Sequence, residues 1–182
     1  RSYSVTGVQT CALPISSSAQ TYWFRPENKT ITQALYFNSL FWFEYFLAFP
    51  AGQDGQSWET AYVVEGYNFS QTEENYCLWL IDLPIHVIIR NCSFVGQLSF
   101  TNVPYVRVYN CSFMGFQMSA ISTSKGETLE IRNNVASTTN NNAGFFNIGM
   151  INNVSIYRNH CTIVNGIDRK STRLNSSHRI RS

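Results

Sequence analysis

The 182 residues hold 13 Lys and Arg against 11 Asp and Glu, a formal net charge of +2, and they are 44% hydrophobic, 15% aromatic and only 13% charged. So few charges beside so many aromatics, Asn and Ser suggest one extended all-β domain and exclude a charged helical bundle or a disordered tail. The five cysteines include no CxxC and no Cys/His spacing of zinc-finger type, so neither a metal ligand set nor a cofactor is expected.

In chain order, the two ends come first. Residue i and residue 183 − i can be encoded by reverse-complementary codons from Arg1/Ser182 through Ile15/Asp168, and the pairing stops at Ser16/Ile167. The peptides VTGVQTCALPI and DRKSTRLNSSH also resemble the translation of a common short-read sequencing adapter. Residues 1–15 and 168–182 are therefore expected to lie outside the fold, as adapter-derived sequence read from opposite ends of an insert. Those ends hold six of the 13 basic residues and one of the 11 acids, so residues 16–167 carry a net charge of −3. The C-terminal basic cluster drops out with them. The remaining basic residues stand singly among apolar ones, which argues against a nucleic-acid partner. Cys77, Cys92, Cys111 and Cys161 remain.

Residues 16–30 are polar and irregular. Residues 31–51, ITQALYFNSLFWFEYFLAFPA, are very apolar and carry one charge, Glu44. Three readings compete: a segment capping the end of a solenoid, a membrane or signal segment behind Arg25 and Lys29, and reading-frame noise. Glu44 and the Asn38–Ser39 pair count against a membrane span. Residues 52–60, GQDGQSWET, form a turn-rich connector. Residues 16–60 thus group as cap and connector, and AYVVEGYNF at 61–69 opens the main domain, 61–167, with a strand and a turn.

A repeat follows. VIIRNCSF (87–94), VRVYNCSF (106–113), LEIRNNVA (129–136) and VSIYRNHCTI (154–163) each hold a β-branched alternating run, a polar bend and a short second strand. Asn91, Asn110, Asn133 and Asn159 take the bend position. No unit has an apolar period long enough for a helix, which excludes leucine-rich, ankyrin and tetratricopeptide arrays. Alternation turns Val87 and Ile89 inward, then Val106 and Val108, Leu129 and Ile131, and Val154 and Ile156. One coil cannot bury its apolar face alone, whereas four or five stacked about 4.8 Å apart can. The expected fold is an all-β, right-handed parallel β-helix of about four to five coils with an apolar N-terminal cap. The four bend asparagines are expected to form a ladder of coil-to-coil amide bonds.

The pattern V-x-I-x-N-[CN]-x-[FI] once per coil, behind AYVVEGYNF, resembles NosD-like right-handed β-helix proteins, within the wider pectate-lyase-like fold, over residues 61–166. The resemblance implies a carbohydrate-binding surface protein, a sugar hydrolase or lyase, or a periplasmic factor of copper-site maturation.

Arg90, Tyr109, Arg132 and Tyr157 share one outward slot on four consecutive coils. Aromatic and guanidinium groups in a row suit an elongated glycan, although such a column can equally serve only to solubilise the sheet. Arg107 and Glu130 fall in a second outward column with Ile88 and Ser155, where a surface ion pair is expected. Asp82, Glu127 and Glu130 are the only acids in the coil region, too few for a stacked acidic face, so no catalytic residue is assigned. Cys92 and Cys111 are equivalent positions read as a buried thiol ladder, with a disulfide or soft-metal pair as the alternative. His160 beside Cys161 reads as a pair of bend residues. The N-x-S/T matches at Asn28, Asn68, Asn91, Asn110 and Asn153 are treated as coincidence. The expected function is a non-catalytic, secreted or cell-surface module that binds a polysaccharide or acts as a spacer, with membrane association through residues 31–51 left open. The alternatives are a fragment of a carbohydrate-active hydrolase or lyase whose catalytic coils lie elsewhere, and a NosD-like copper-maturation protein.

Overall fold

The alternating runs of the repeat are strands: those at 87–90, 106–109 and 129–132 bury every second residue, and the run at 154–157 is only partly covered. The computed structural model describes residues 29–70 and 75–164, together with the backbone of 171–172 and 178–181. Residues 1–15, Arg25, Asn28 and most of 168–182 lie outside the described residues.

Three parallel sheets make up the walls. Sheet A contains β1 (Thr30–Ile31), β4 (Asn68–Phe69), β7 (Ser93–Val95), β10 (Ser112–Met114), β13 (Val135–Thr138) and β16 (His160–Ile163). Sheet B contains β2 (Leu35–Phe37), β5 (Tyr76–Ile81), β8 (Gln97–Thr101), β11 (Ser119–Ser124) and β14 (Gly144–Ile148). Sheet C contains β3 (Tyr62–Glu65), β6 (His86–Arg90), β9 (Tyr105–Tyr109), β12 (Gly126–Arg132) and β15 (Ile151–Tyr157). The chain visits A, B and C in turn, so each circuit is one coil of a parallel β-helix. Four regular coils follow a first one that is interrupted between β2 and β3 by helix α1 (Leu40–Leu47).

Register follows the sequence repeat. Ile89 pairs with Val108, Val108 with Ile131, and Ile131 with Ile156. The first three of these are fully buried, while Ile156, on the last coil, is only partly covered. A second interior column is aromatic: Phe69, Phe94 and Phe113 of sheet A stack at centroid spacings of 4.8 and 5.0 Å with rings within 7° of parallel. Ala136 is next in that register, and Phe145 from sheet B packs edge-on against Phe113, filling the space that a fourth ring would take.

The apolar N-terminal segment is the cap. β1 pairs with β4 and β2 with β5, in register Leu35↔Leu78, so among the described residues the parallel pairing reaches back to Thr30, ahead of residue 61. The α1 helix then covers the core of this first coil. Phe43 is fully buried against Phe37, Phe49 and Tyr62. The Tyr62 hydroxyl donates to Glu44, which gives the one charge of the segment a partner; burial first, then Glu44, raises the Tyr62 pKa. The helix ends where Ala48 turns left-handed (φ 53°) and donates to Glu44 O at 3.0 Å, two residues before Pro50. No described helix is long and apolar enough to cross a membrane.

Corners recur by coil, and most of the described ones turn through a left-handed residue. Between sheets C and A these are Gly66, Asn91, Asn110, Asn133 and Arg158; between B and C they are Asp82, Asn102 and Lys125; between A and B, Gly96 and Gly115. Asn and Gly tolerate positive φ best, which explains why Asn repeats at the C-to-A bend.

This geometry corrects the expected asparagine ladder. Asn91, Asn110 and Asn133 do share the bend, but they are exposed, and the Asn91 amide donates to Glu65 and not to the next Asn. Asn159 is displaced by one place. Arg132 pairs with Tyr157 and Val135 with His160, so Arg158 takes the bend and Asn159 stacks on Asn134. These two inward amides are the ladder. Asn134 accepts from the Cys111 backbone N–H at 2.9 Å and donates to Val108 O at 3.0 Å and to Asn159 Oδ1 at 3.0 Å. Asn159 in turn accepts from the Asn134 backbone N–H and donates to Ile131 O, both at 2.9 Å. Arg158 stands at the left-handed bend in place of an asparagine, and Asn159 follows it at the inward position that Asn134 holds on the coil before.

At the far end, the segment expected to lie outside the fold adds two short antiparallel strands. β17 (Ser171–Thr172) pairs with β16, and β18 (His178–Arg181) with β15. The physical reason is general: the last coil presents unpaired backbone groups, and an edge of that kind accepts any strand able to reach it. Because these pairings are short and peripheral, deleting residues 1–15 and 168–182 is expected to shift the melting temperature by no more than a few degrees. A larger fall in a thermal melt would make the tail part of the fold.

Candidate ligand-binding face

The outer surface of sheet C carries a grid. Strand alternation sends every second residue outward, and the parallel register lines those residues up from coil to coil. One column runs Glu65, Arg90, Tyr109, Arg132, Tyr157. The next runs Val63, Ile88, Arg107, Glu130, Ser155, and the third His86, Tyr105, Thr128, Asn153. All four residues expected in the Arg–Tyr column are thus brought together, and Glu65 extends it by one coil. The two expected partners Arg107 and Glu130 also meet.

The column is held in place by its own contacts. Arg90 donates to Glu65 Oε2 at 2.7 Å and to the Tyr109 hydroxyl at 3.4 Å. The Arg90 guanidinium, and then the Asn91 amide, keep the Glu65 carboxyl below its ordinary pKa. The Arg132 guanidinium lies 4.7 Å from the Tyr109 ring centroid. Glu130 is the hub of the second column: Arg107 Nε and Arg132 Nε each stand 3.1 Å from one of its oxygens, and the Tyr157 hydroxyl donates to it at 2.8 Å. Neither Nε–H is aimed at the carboxylate, so these are ion contacts and not directed hydrogen bonds. With half-exposed partners they stabilise the fold by at most about 1 kcal/mol each; their effect is to fix the direction in which the side chains project.

A corner of the grid that sequence did not single out is aromatic. The 52–60 connector folds back over sheet C, tied down by the His86 backbone N–H donating to Gly55 O at 2.8 Å and by Gly55 N–H donating to Thr60 O at 2.8 Å. Gly55 is required here: its φ is +69°, and a Cβ would come within 2.6 Å of the Tyr62 ring. The connector thereby places Trp58 on the face. The Arg107 guanidinium lies 3.7 Å from the Trp58 ring centroid, and His86 and Tyr105 stack at 4.0 Å beside it, both edge-on to Trp58. Glu59 is exposed, and its pKa is lowered mainly by a Ser57 hydrogen bond, with His86 and Arg107 adding to the effect. The one available signal was a tryptophan inside a Gly- and Ser-rich turn, a costly residue to leave on a loop.

Asp82, Glu127 and Glu130 have separate partners. Asp82 accepts from the Asn102 amide at 2.8 Å on the sheet B side, Glu127 accepts from Asn152 at 2.7 Å, and Glu130 is the hub just described. His160 and Cys161 alternate on β16 and so point to opposite sides; His160 Nε2 lies 3.1 Å from the Thr162 hydroxyl. Among the described residues no group of three or more His, Cys, Asp and Glu could hold a metal ion.

In comparisons with family models, curated proteins and solved structures, nothing matches this chain.

Proposed function

We propose that this chain is a non-catalytic, secreted or cell-surface module that binds a polysaccharide along the outer face of sheet C. The observation that carries this reading is the coil-to-coil alignment of Arg90, Tyr109, Arg132 and Tyr157 beside the Trp58–His86–Tyr105–Arg107 corner. An elongated ligand with a regular repeat meets equivalent groups at a regular interval only on a lattice of this kind. Ring faces and edges take up the apolar faces of sugar rings, while guanidinium and phenol donors take their oxygens. The contacts that hold the side chains in place reduce the ordering cost of binding. Asp82, Glu127 and Glu130 are each held by different partners, Asn102, Asn152 and the Arg107–Arg132–Tyr157 group, which favours reading these carboxylates as structural. Exposed Phe41 and Tyr45 on the capping helix belong to the same reading as a surface by which the module rests against a membrane or wall.

Affinity electrophoresis through gels containing a panel of neutral and acidic polysaccharides tests the proposal. At least one polysaccharide is expected to retard the protein. Trp58→Ala should then weaken that binding about tenfold, the worth of one aromatic contact, with the thermal melt little changed. Arg132→Ala should weaken it several-fold. No retardation by any member of the panel, or retardation of both variants equal to that of the wild type, contradicts the proposal.

A further inference from the structure

The two cysteines of the repeat offer chemistry that ligand binding does not use. Cys92 and Cys111 stand at equivalent places on adjacent coils: Ser93 pairs with Ser112, and the Ser112 N–H donates to Cys92 O at 3.0 Å. Both residues are buried and free, and their thiols lie under the C-to-A bend, directed at the carbonyls of Arg90 and Tyr109 at 3.2 and 3.4 Å. Adjacent parallel strands run about 4.8 Å apart, within the Cα separation of about 4.4–6.8 Å that a disulfide spans. The surface above them is a groove of about 490 Å³ whose lining includes Asn91, Cys92, Asn110 and Cys111. The column then changes chemistry: Asn134 is next, and its amide bonds the Cys111 backbone N–H. Of the other two described cysteines, Cys161 pairs with Ala136, and Cys77, on β5 of sheet B, directs its thiol at Val95 O.

We propose that Cys92 and Cys111 form a redox-active dithiol that closes to an inter-coil disulfide by exchange with a low-molecular-weight disulfide. The Cys92 thiolate attacks one sulfur of RSSR and expels RS⁻. The Cys111 thiol passes its proton to that RS⁻, and the Cys111 thiolate attacks the Cys92 sulfur of the mixed disulfide, expelling a second RS⁻ that takes up the proton released from Cys92. Two protein thiols are oxidised to one disulfide, and RSSR is reduced to two RSH. The neighbouring thiols favour this order of attack: Cys111 lowers the Cys92 pKa, and Cys92, with burial, raises that of Cys111. The cross-link joins the two coils that carry Arg90 and Tyr109 and so ties the ligand-binding column to the redox state of its surroundings.

The test treats the folded full chain, carrying Cys11→Ser, with oxidised glutathione and maps the product by peptide mass spectrometry. A 92–111 disulfide is expected, with Cys77 and Cys161 still reduced. The melting temperature should rise by several degrees and return on reduction with dithiothreitol. In Cys111→Ser the same treatment should stop at a glutathione adduct on Cys92, with no rise in melting temperature. The proposal is overturned if all four thiols stay reduced, if the wild-type pair stops at the mixed disulfide, or if cross-links to Cys77 or Cys161 form as readily.

Discussion

Replacing Phe94 with alanine is expected to lower the free energy of unfolding by about 3–5 kcal/mol, the cost of truncating a buried aromatic whose surroundings cannot collapse. Phe94 is fully buried between two parallel rings, Phe69 at 4.8 Å and Phe113 at 5.0 Å, each fixed by its own coil. Backbone pairing sets the coil spacing, so neither neighbour can move in to fill the gap. Domains of this size are stable by about 5–15 kcal/mol, so the loss leaves the protein close to its unfolding threshold. Urea denaturation should show a lower midpoint with a nearly unchanged slope. Phe94→Leu keeps most of the volume and should cost markedly less. Equal losses for the two substitutions would mean that the stack is not the spine described.

Asn134 is expected to be worth about 2–4 kcal/mol, and its neighbour Asn133 almost nothing. Asn134→Ala leaves the buried Cys111 N–H and the Val108 carbonyl without their side-chain partner and removes a donor from Asn159 Oδ1. Buried groups stripped of a partner keep their full desolvation cost. Asn133 is exposed at φ 55°. Asn133→Gly keeps the left-handed corner accessible and should change stability by no more than about 0.5 kcal/mol. Denaturation of the two variants side by side checks the register. If Asn133→Gly were the more damaging, the amide ladder would run through the bend and not inside it.

The contrast between those two residues also marks how far the sequence was legible. Inward and outward positions of sheet C could be read because Val87–Ile89, Val106–Val108 and Leu129–Ile131 repeat the same alternation, and burial of such pairs dictates one face for each residue. The Arg–Tyr column followed from the same parity, since whatever is not inward on those strands must share the outer face. The ladder was misplaced because Asn serves two purposes here, turning the chain at positive φ and bonding carbonyls inside. A one-letter repeat cannot separate these once Arg158 supplies the turn and the one Asn of that unit, Asn159, is the inward residue. Sheet B stayed unread for a different reason. YCLWLI, QLSFT, SAISTS and GFFNI share no consensus, because this wall is constrained by volume against the other two and not by a bend motif. The Trp58 corner was also missed, since it depends on a loop folding back onto strands distant in sequence. A capping segment was one of three open readings of residues 31–51, with no helix assigned, until pairing of Leu35 with Leu78 set the segment on the first described coil.

Methyl–methyl nuclear Overhauser effects among the inward residues of sheet C measure the stacking most directly. Effects linking Ile89 to Val108, Val108 to Ile131 and Ile131 to Ile156 are expected, with none between Ile89 and Ile131, two strand spacings or roughly 10 Å apart. Effects setting Val108 against residues other than Ile89 and Ile131 across the sheet, or a helical i, i+3 pattern through any of the four, would contradict the β-helix and, with it, the binding face.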